Sequence, residues 1–268
     1  MLHVHRGADA ARLVDALAEV LAVPSTGDDP FAPEVVAVPS RGIERWLAQE
    51  LSRRLGTSHG RTDGVCANVV FPFPAAVVGW GVRGTADAPV DVHQRQVPRD
   101  PWMPAHLTWS LLDVVEGTTD DGRPMREALG AFGAHLAGDR GRARRLPALR
   151  HVADLFDRYG VHRPDMVRAW RAWDDVDATG APLDPTARWQ PRLWRAVRDH
   201  LDVPSFPEQV RDAVARLGDG APVPGLPARV SLYGLTGLPA TYVEVLEALG
   251  IAHDVHVFLL HPSPRSWD

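Results

Sequence analysis

An α/β fold, with a parallel sheet covered by helices and interrupted by an all-helical insertion, is what the sequence predicts. Three observations predict it. Short valine-rich runs alternate with segments of helical periodicity up to Phe71. Strand signals then vanish between about Trp80 and Leu217, where apolar residues recur every three or four positions. Strand character finally returns at Val230.

The elements follow in order. Leu2-His3-Val4-His5 alternates as a short strand, and Leu13, Leu17, Val20 and Leu21 recur at helical spacing after it. Asp9 stands where an N-cap belongs. A Pro/Asp-rich connector from Pro24 to Pro33 leads into Glu34-Val35-Val36-Ala37-Val38, a buried strand stopped at Pro39-Ser40. The next helix carries Ile43, Trp46, Leu47, Leu51 and Leu55 on one face, with Gly56 as its C-terminal stop. Val69-Val70-Phe71 is a third strand, ended by Pro72-Phe73-Pro74. Repeated strand-helix units of this kind favour a parallel sheet.

Within the insertion, one helix carries Val152, Leu155, Phe156 and Tyr159, another Met166, Trp170 and Trp173, and a third Leu193, Trp194, Val197 and Leu201. Gly84 to Trp102, Gly117 to Pro124 and Asp174 to Arg188 read as loops. Beyond the Pro-rich Gly220 to Pro227, Val230 to Tyr233 is a strand, Tyr242, Leu246 and Leu249 mark a helix, and Val255 to Leu260 a last strand. The expected organisation is residues 1–83 as the first part of the α/β domain, 84–220 as the helical insertion and 221–268 as the return. The sequence stops at Ser266-Trp267-Asp268 with no closing helix, which reads as a fragment of something longer.

A chain of 268 residues with 45% hydrophobic content can build a sizeable core. Its 29 basic and 34 acidic residues give a net charge of -5, so there is no global basic field and any DNA contact must be local. Cys66 is the single cysteine, which excludes a disulfide framework and suits a reducing cytoplasm. No apolar run approaches membrane-spanning length, so neither export nor membrane insertion is expected. Every basic residue is arginine, and chemistry that needs a lysine amine is therefore excluded.

Several stretches, in order, resemble the start of the RecC family, the gamma chain of exodeoxyribonuclease V. They are Leu2-His3-Val4-His5, Asp29-Pro30-Phe31-Ala32-Pro33-Glu34, Val38-Pro39-Ser40-Arg41-Gly42-Ile43-Glu44-Arg45-Trp46-Leu47 and Phe71-Pro72-Phe73-Pro74-Ala75. Ala153-Asp154-Leu155-Phe156-Asp157-Arg158-Tyr159, Arg163-Pro164-Asp165, Trp189-Gln190-Pro191 and Leu226-Pro227-Ala228-Arg229-Val230 continue it, so the likeness spans the chain. The resemblance implies a P-loop NTPase, superfamily 1 helicase-like sheet with a degenerate nucleotide site and an inserted helical subdomain. It also implies RecB-like and RecD-like partner subunits that use ATP and magnesium and carry the helicase and nuclease activities. The DNA would be a duplex end and its single strands, in the cytoplasm, with no membrane and no cofactor in this chain.

The residues agree with a lost motor. A phosphate cradle needs glycines, a lysine and a Ser/Thr for magnesium. Arg6-Gly7-Ala8-Asp9-Ala10-Ala11-Arg12 has one glycine, no lysine and no Ser/Thr, and Asp9 adds a repulsive carboxylate. The strand at Val230 ends in Tyr233-Gly234-Leu235-Thr236, with no acidic pair for magnesium. A self-sufficient ATP-driven helicase would need the missing lysine. Pro164-Asp165 is followed by no Glu-x-Lys, so a helix start there is preferred to a nuclease centre. Of twelve histidines, His253, His256 and His261 lie nearest in sequence, but strand alternation puts His253 and His256 on opposite faces; scattered histidines are preferred to a metal site.

Two candidate DNA contacts remain. Arg140, Arg142, Arg144, Arg145 and Arg150 read as a solvated helix start, with bidentate phosphate contact as the alternative. On the helix of Leu155, an ordinary amphipathic pattern leaves Asp154, Asp157 and Arg158 outward, with Arg163 just past its end. In the family the matching stretch lines a channel where the unwound 3′-ended strand is scanned for a recombination hotspot. The resemblance thus implies Phe73, Asp154, Leu155, Asp157, Arg158 and Arg163 as DNA-binding residues: carboxylates accepting from base amino groups, arginine gripping guanine, Phe73 and Leu155 stacking on bases. The family pattern often has a smaller aliphatic residue at Phe73, which leaves hotspot preference open. A module that only braces partner subunits is the alternative.

Overall fold

The computed structural model describes residues 1–23, 25, 31–56, 64–93, 100–120 and 122–261, without the side chains of 138–142. Most of the connector from Pro24 to Pro33, part of the loop Gly84 to Trp102 and the end at Ser266-Trp267-Asp268 lie outside the described residues. The chain divides into two compact units, Met1–Gln96 with Asp212–Asp268, and Val97–Arg211.

The first unit holds a five-stranded sheet. Its strands are β1 (Leu2–Gly7), β2 (Glu34–Ala37), β3 (Val69–Val70), β4 (Arg229–Leu235) and β5 (Asp254–Leu260). The spatial order is β1-β5-β4-β2-β3 and all four pairings are parallel, so the expected strands occur where the sequence puts them. A bulge at the end of β4 is made possible by Gly234, whose φ of 73° suits glycine.

Helices α1 (Ala10–Ala22) and α2 (Arg41–Ser52) cover one face. Leu13, Val14 and Leu17 of α1 and Leu47 and Leu51 of α2 are buried with Val36, Tyr233 and Phe258. Both helices begin as their sequences direct: Asp9 accepts from Ala11 N at 2.8 Å, and Ser40 accepts from Ile43 N at 3.3 Å. Gly56 follows α2 at φ 61°, beyond the last regular turn. Strand alternation turns Val35, Val230, Leu232, Val255 and Val257 to the opposite face, and all are buried. Helix α3 (Pro74–Arg83) was not foreseen as an element of its own; it packs on α11 (Ala240–Ala252), where a Cβ at Gly81 would fall 2.9 Å from the Leu249 side chain. Pro74, read only as a strand stop, also serves as the first residue of that helix.

On the first face lies a row of stacked rings. His3 and His256 are 4.6 Å apart, His256 and His5 5.3 Å, and His5 and Phe258 4.3 Å. His5 Nε2 and His256 Nδ1 share a hydrogen bond of 3.1 Å, which requires one of them to be the acceptor. His253 is instead buried and bonded to Pro227 O and Val223 N, so it serves the fold.

The second unit is helical. It contains α4 (Pro104–Glu116), α5 (Met125–Ala128), α6 (Gly130–His135), α7 (Gly138–His162), α8 (Pro164–Arg171) and α9 (Trp189–Leu201); α10 (Phe206–Gly218) comes next in the chain. The core is aromatic. Trp170 and Trp194 are fully buried, with Trp102 stacked on Trp194 at 5.7 Å and Phe156 edge-on to Trp170 at 6.4 Å. Two of the indole N–H groups are satisfied by carbonyls: Trp102 Nε1 donates to Val203 O at 3.0 Å and Trp170 Nε1 to Val176 O at 2.8 Å. Truncating such a tryptophan to alanine costs about 3–5 kcal/mol.

Two expectations are corrected. Trp173, placed with Met166 and Trp170 on a buried face, is 73% exposed, because α8 stops at Arg171 and Trp173 turns at φ 68°. On α7 the buried stripe is Leu149, Val152, Ala153, Phe156 and Gly160, which leaves Leu155 and Tyr159 only half-buried.

Candidate nucleic-acid interface

The predicted site residues fall in both units, Phe73 in the first and the other five in the second.

The connection after β2 leaves toward one face and those after its neighbours β3 and β4 toward the other, and the carboxyl ends of strands at such a switch are the usual ligand position in open α/β sheets. Phe73 stands at this edge as the residue before α3, 45% exposed. Arg41, in the first turn of α2, sets its guanidinium over the Phe73 ring at 5.3 Å and also pairs with Glu44. Sequence reasoning missed Arg41 as a site residue. It was quoted only within the Val38 to Leu47 match, and nothing local couples it to an aromatic ring thirty-two positions on.

At the neighbouring turn, the side chain of Asp9 occupies the amino end of α1, and Tyr233 Oη donates to Ala10 O at 2.8 Å. Burial pushes the Tyr233 hydroxyl up to about 12, so it remains a donor.

In the second unit α7 presents Asp154 and Arg158 at its most exposed line, and Arg158 Nε donates back to Asp154 O at 3.2 Å. Asp157 and Leu155 flank that line on opposite sides, about 160° apart around the helix axis. Asp157 is exposed by area, yet its inner side meets Trp102, Gly160, Trp194 and Phe206 around a small hollow. This partial loss of water, then the carboxylates of Asp154 and Asp100, raise its pKa above the ordinary carboxylate value. A carboxyl poised in this way can accept from a base or, once protonated, donate to one.

Arg163 ends α7 and caps α8; its N–H bonds to Tyr159 O at 2.9 Å and its guanidinium lies over the Tyr159 ring at 5.1 Å. It therefore belongs to the Leu155 side of the helix. The structure brings Asp154, Asp157 and Arg158 onto one broad ridge, with Leu155, Tyr159 and Arg163 along its flank.

Of the basic run, Arg140 and Arg142 have side chains outside the description, and Arg144 and Arg150 are exposed. Arg145 is spoken for by the fold, donating to Leu136 O at 2.8 Å and to Glu116 at 2.6 Å. Among the described residues no group of three or more His, Cys, Asp or Glu could hold a metal ion, and no helix is long and apolar enough to cross a membrane.

Comparison with known proteins gives one consistent result. The family model described as RecC, N-terminal domain, matches residues 2–268. Among curated relatives, the RecBCD enzyme subunit RecC of Mycobacterium tuberculosis (strain CDC 1551 / Oshkosh) is 40% identical over 271 residues, covering 99% of this chain and 23% of the relative. That of Mycolicibacterium smegmatis is 37% identical over 99% of this chain and 22% of the relative. That of Escherichia coli K12 is 28% identical over 95% and 21% respectively. The chain thus spans under a quarter of the length of these relatives. With a family model matched along nearly all of its residues, the chain belongs to the RecC family, in the part that forms the family's N-terminal domain.

Proposed function

We propose that this chain is the DNA-handling N-terminal part of a non-catalytic RecC-type subunit in an exodeoxyribonuclease V assembly for double-strand break repair by homologous recombination. In this reading RecB-like and RecD-like subunits in the cytoplasm hydrolyse ATP with magnesium and cut DNA. This chain helps split the duplex end and inspects the 3′-ended single strand for a recombination hotspot. Its sheet is a superfamily 1 helicase, P-loop NTPase-type scaffold whose nucleotide site has degenerated. Asp9 capping α1 and Tyr233 bonded to Ala10 support that degeneration, since a phosphate would need the Ala11 amide that Asp9 claims.

The observation that carries the reading is the α7 ridge. Asp154, Asp157 and Arg158 stand exposed on a rigid helix, in a chain matched to RecC from residue 2 to 268. Carboxylates and an arginine fork at fixed spacing can read base edges, and half-buried Leu155 offers apolar surface to an unpaired base. Phe73 with Arg41 supplies a second stacking surface in the other unit.

The test uses the complex assembled with its partner subunits on forked DNA carrying photoreactive bases in the 3′-ended strand. Crosslinks through Asp157, Arg158 or Phe73, and a binding loss of roughly tenfold in Arg158→Ala/Arg163→Ala, are expected. A complex that unwinds DNA normally with neither effect would reduce this chain to a brace for its partners.

A further inference from the structure

The second unit contains an open cleft of about 1090 Å³ that lies apart from the exposed line of α7. At its mouth stands Trp173, 73% exposed and held at φ 68°, a left-handed backbone that side chains other than those of glycine and asparagine rarely adopt. One face of the indole is covered. The guanidinium of Arg195 lies under the ring at 4.5 Å. Arg195 itself is buried and fixed, donating to Trp170 O at 3.0 Å and to Asp175 at 2.9 Å. With most of Trp173 exposed, the result is a flat aromatic ring on a rigid cationic support, aimed by an uncommon backbone turn. A backbone outlier that exposes a large apolar ring does nothing for the core, whereas it would orient a platform for a ligand.

The rest of the lining narrows the ligand class. Among the described residues four arginines and four aspartates face the cleft, with the hydroxyls of Thr118, Thr119 and Thr186. The centre of a protein-binding surface is depleted in charged residues, which speaks against a peptide or protein partner. Balanced charge speaks against an extended duplex backbone, which calls for a basic track. A single π-face with hydrogen-bonding groups of both kinds around it suits one unstacked base.

We infer that this cleft is a base-binding subsite for single-stranded DNA, in which an unpaired base stacks on the exposed ring of Trp173 while a flanking phosphate is met by the exposed Arg188 and Arg192. The inference rests on the reading of the chain as a DNA-handling one, and adds a contact that the family resemblance did not supply.

The test is fluorescence anisotropy of a labelled 20-nucleotide oligothymidylate with the whole chain, comparing wild type, Trp173→Gly and Trp173→Phe. Glycine is the informative choice because it fits the left-handed turn, so the variant stays folded or gains stability while it loses the ring. Binding should weaken roughly five- to hundredfold in Trp173→Gly, by about the same factor at low and raised salt, and much less in Trp173→Phe. An oligonucleotide carrying 5-iodouracil should crosslink to Trp173. Unchanged binding in Trp173→Gly, or crosslinks only along α7, would overturn the subsite and leave the proposed function standing. Failure of the wild-type chain to bind the oligonucleotide also overturns the subsite, and the assembled-complex experiment then decides the proposed function separately.

Discussion

Arg229 opens β4 with only 7% of its surface exposed, and it joins three elements of the first unit. Its guanidinium donates to Val20 O at 2.7 Å, to Val23 O at 2.9 Å and to Glu34 Oε2 at 3.1 Å, with a further bond to the second Glu34 oxygen. The last carbonyls of α1 and the carboxylate that starts β2 are thus satisfied by one side chain. Arg229→Leu leaves Glu34 charged, with 21% of its side chain reachable by water, and leaves two carbonyls to find water near the exposed Val23. Removing one partner of a buried ion pair costs about 3–5 kcal/mol. The partial access of water to Glu34 puts this case near the lower end, about 3 kcal/mol. Amide hydrogen exchange on β4 and β5 reads the stability of this unit without assuming that both units unfold together. Protection there should fall roughly 150-fold, since about 1.4 kcal/mol corresponds to a factor of ten. Arg229→Leu/Glu34→Leu should recover at least half of the loss, because no charge is then left unpaired. A loss below about fivefold in the single variant, or a double variant no better than the single, would refute the reasoning.

Two further predictions concern pH. His256 is driven down to about 4, first by burial and then by His3 and His5, so its folded pKa lies below the unfolded 6.5. The unfolded chain therefore takes up the proton first, and stability should be lost as pH falls from 6.5 toward 4; His256→Phe, which keeps a stacked ring, should flatten that slope in urea titrations, and an unaltered slope would sink the assignment. Asp157 has the opposite sense for a carboxyl, with a folded pKa above 3.8, so its charge destabilises the fold once pH rises past the raised value. Asp157→Asn should make the second unit more stable at pH 7, with the gain shrinking in acid, and a less stable variant at pH 7 would contradict the account.

Much of the fold was legible because the strands announce themselves. Val35-Val36, Val69-Val70 and Val255 to Leu260 are β-branched or apolar runs bounded by proline, glycine or aspartate, and buried parallel strands require little else. Asp9 was readable as a cap for an equally local reason, whereas Ser40, read only as a strand stop, also caps α2. Helix α3 was not, since Ala75-Ala76-Val77-Val78-Gly79-Trp80-Gly81 is poor in strong helix formers and owes its helicity to packing against α11. Trp173 misled the reading because its spacing from Trp170 continues the helical period, while the residue that takes a left-handed turn after a helix is commonly glycine. The phase of α7 was off by part of a turn for a similar reason. Gly160 and Ala153 are small enough to bury tightly and shift the stripe toward themselves, which pushes Leu155 and Tyr159 to its margin. Contacts such as Arg41 over Phe73 or Arg195 under Trp173 join positions that only the folded backbone brings together.

The strand order has a consequence for how such a chain is born. Among the described residues β1 is paired with β5 alone, and β5 begins some two hundred and fifty residues later, with the helices of the second unit in between. At about 5–20 residues per second, roughly 12–50 s separate the emergence of the first strand from that of its neighbour. Throughout that interval the nascent first strand carries Leu2 and Val4 with an open backbone edge, an invitation to stray pairing. The intervening helices rely on nearby contacts and can settle first, so the helical unit can be finished on the ribosome before β1 meets its partner strand.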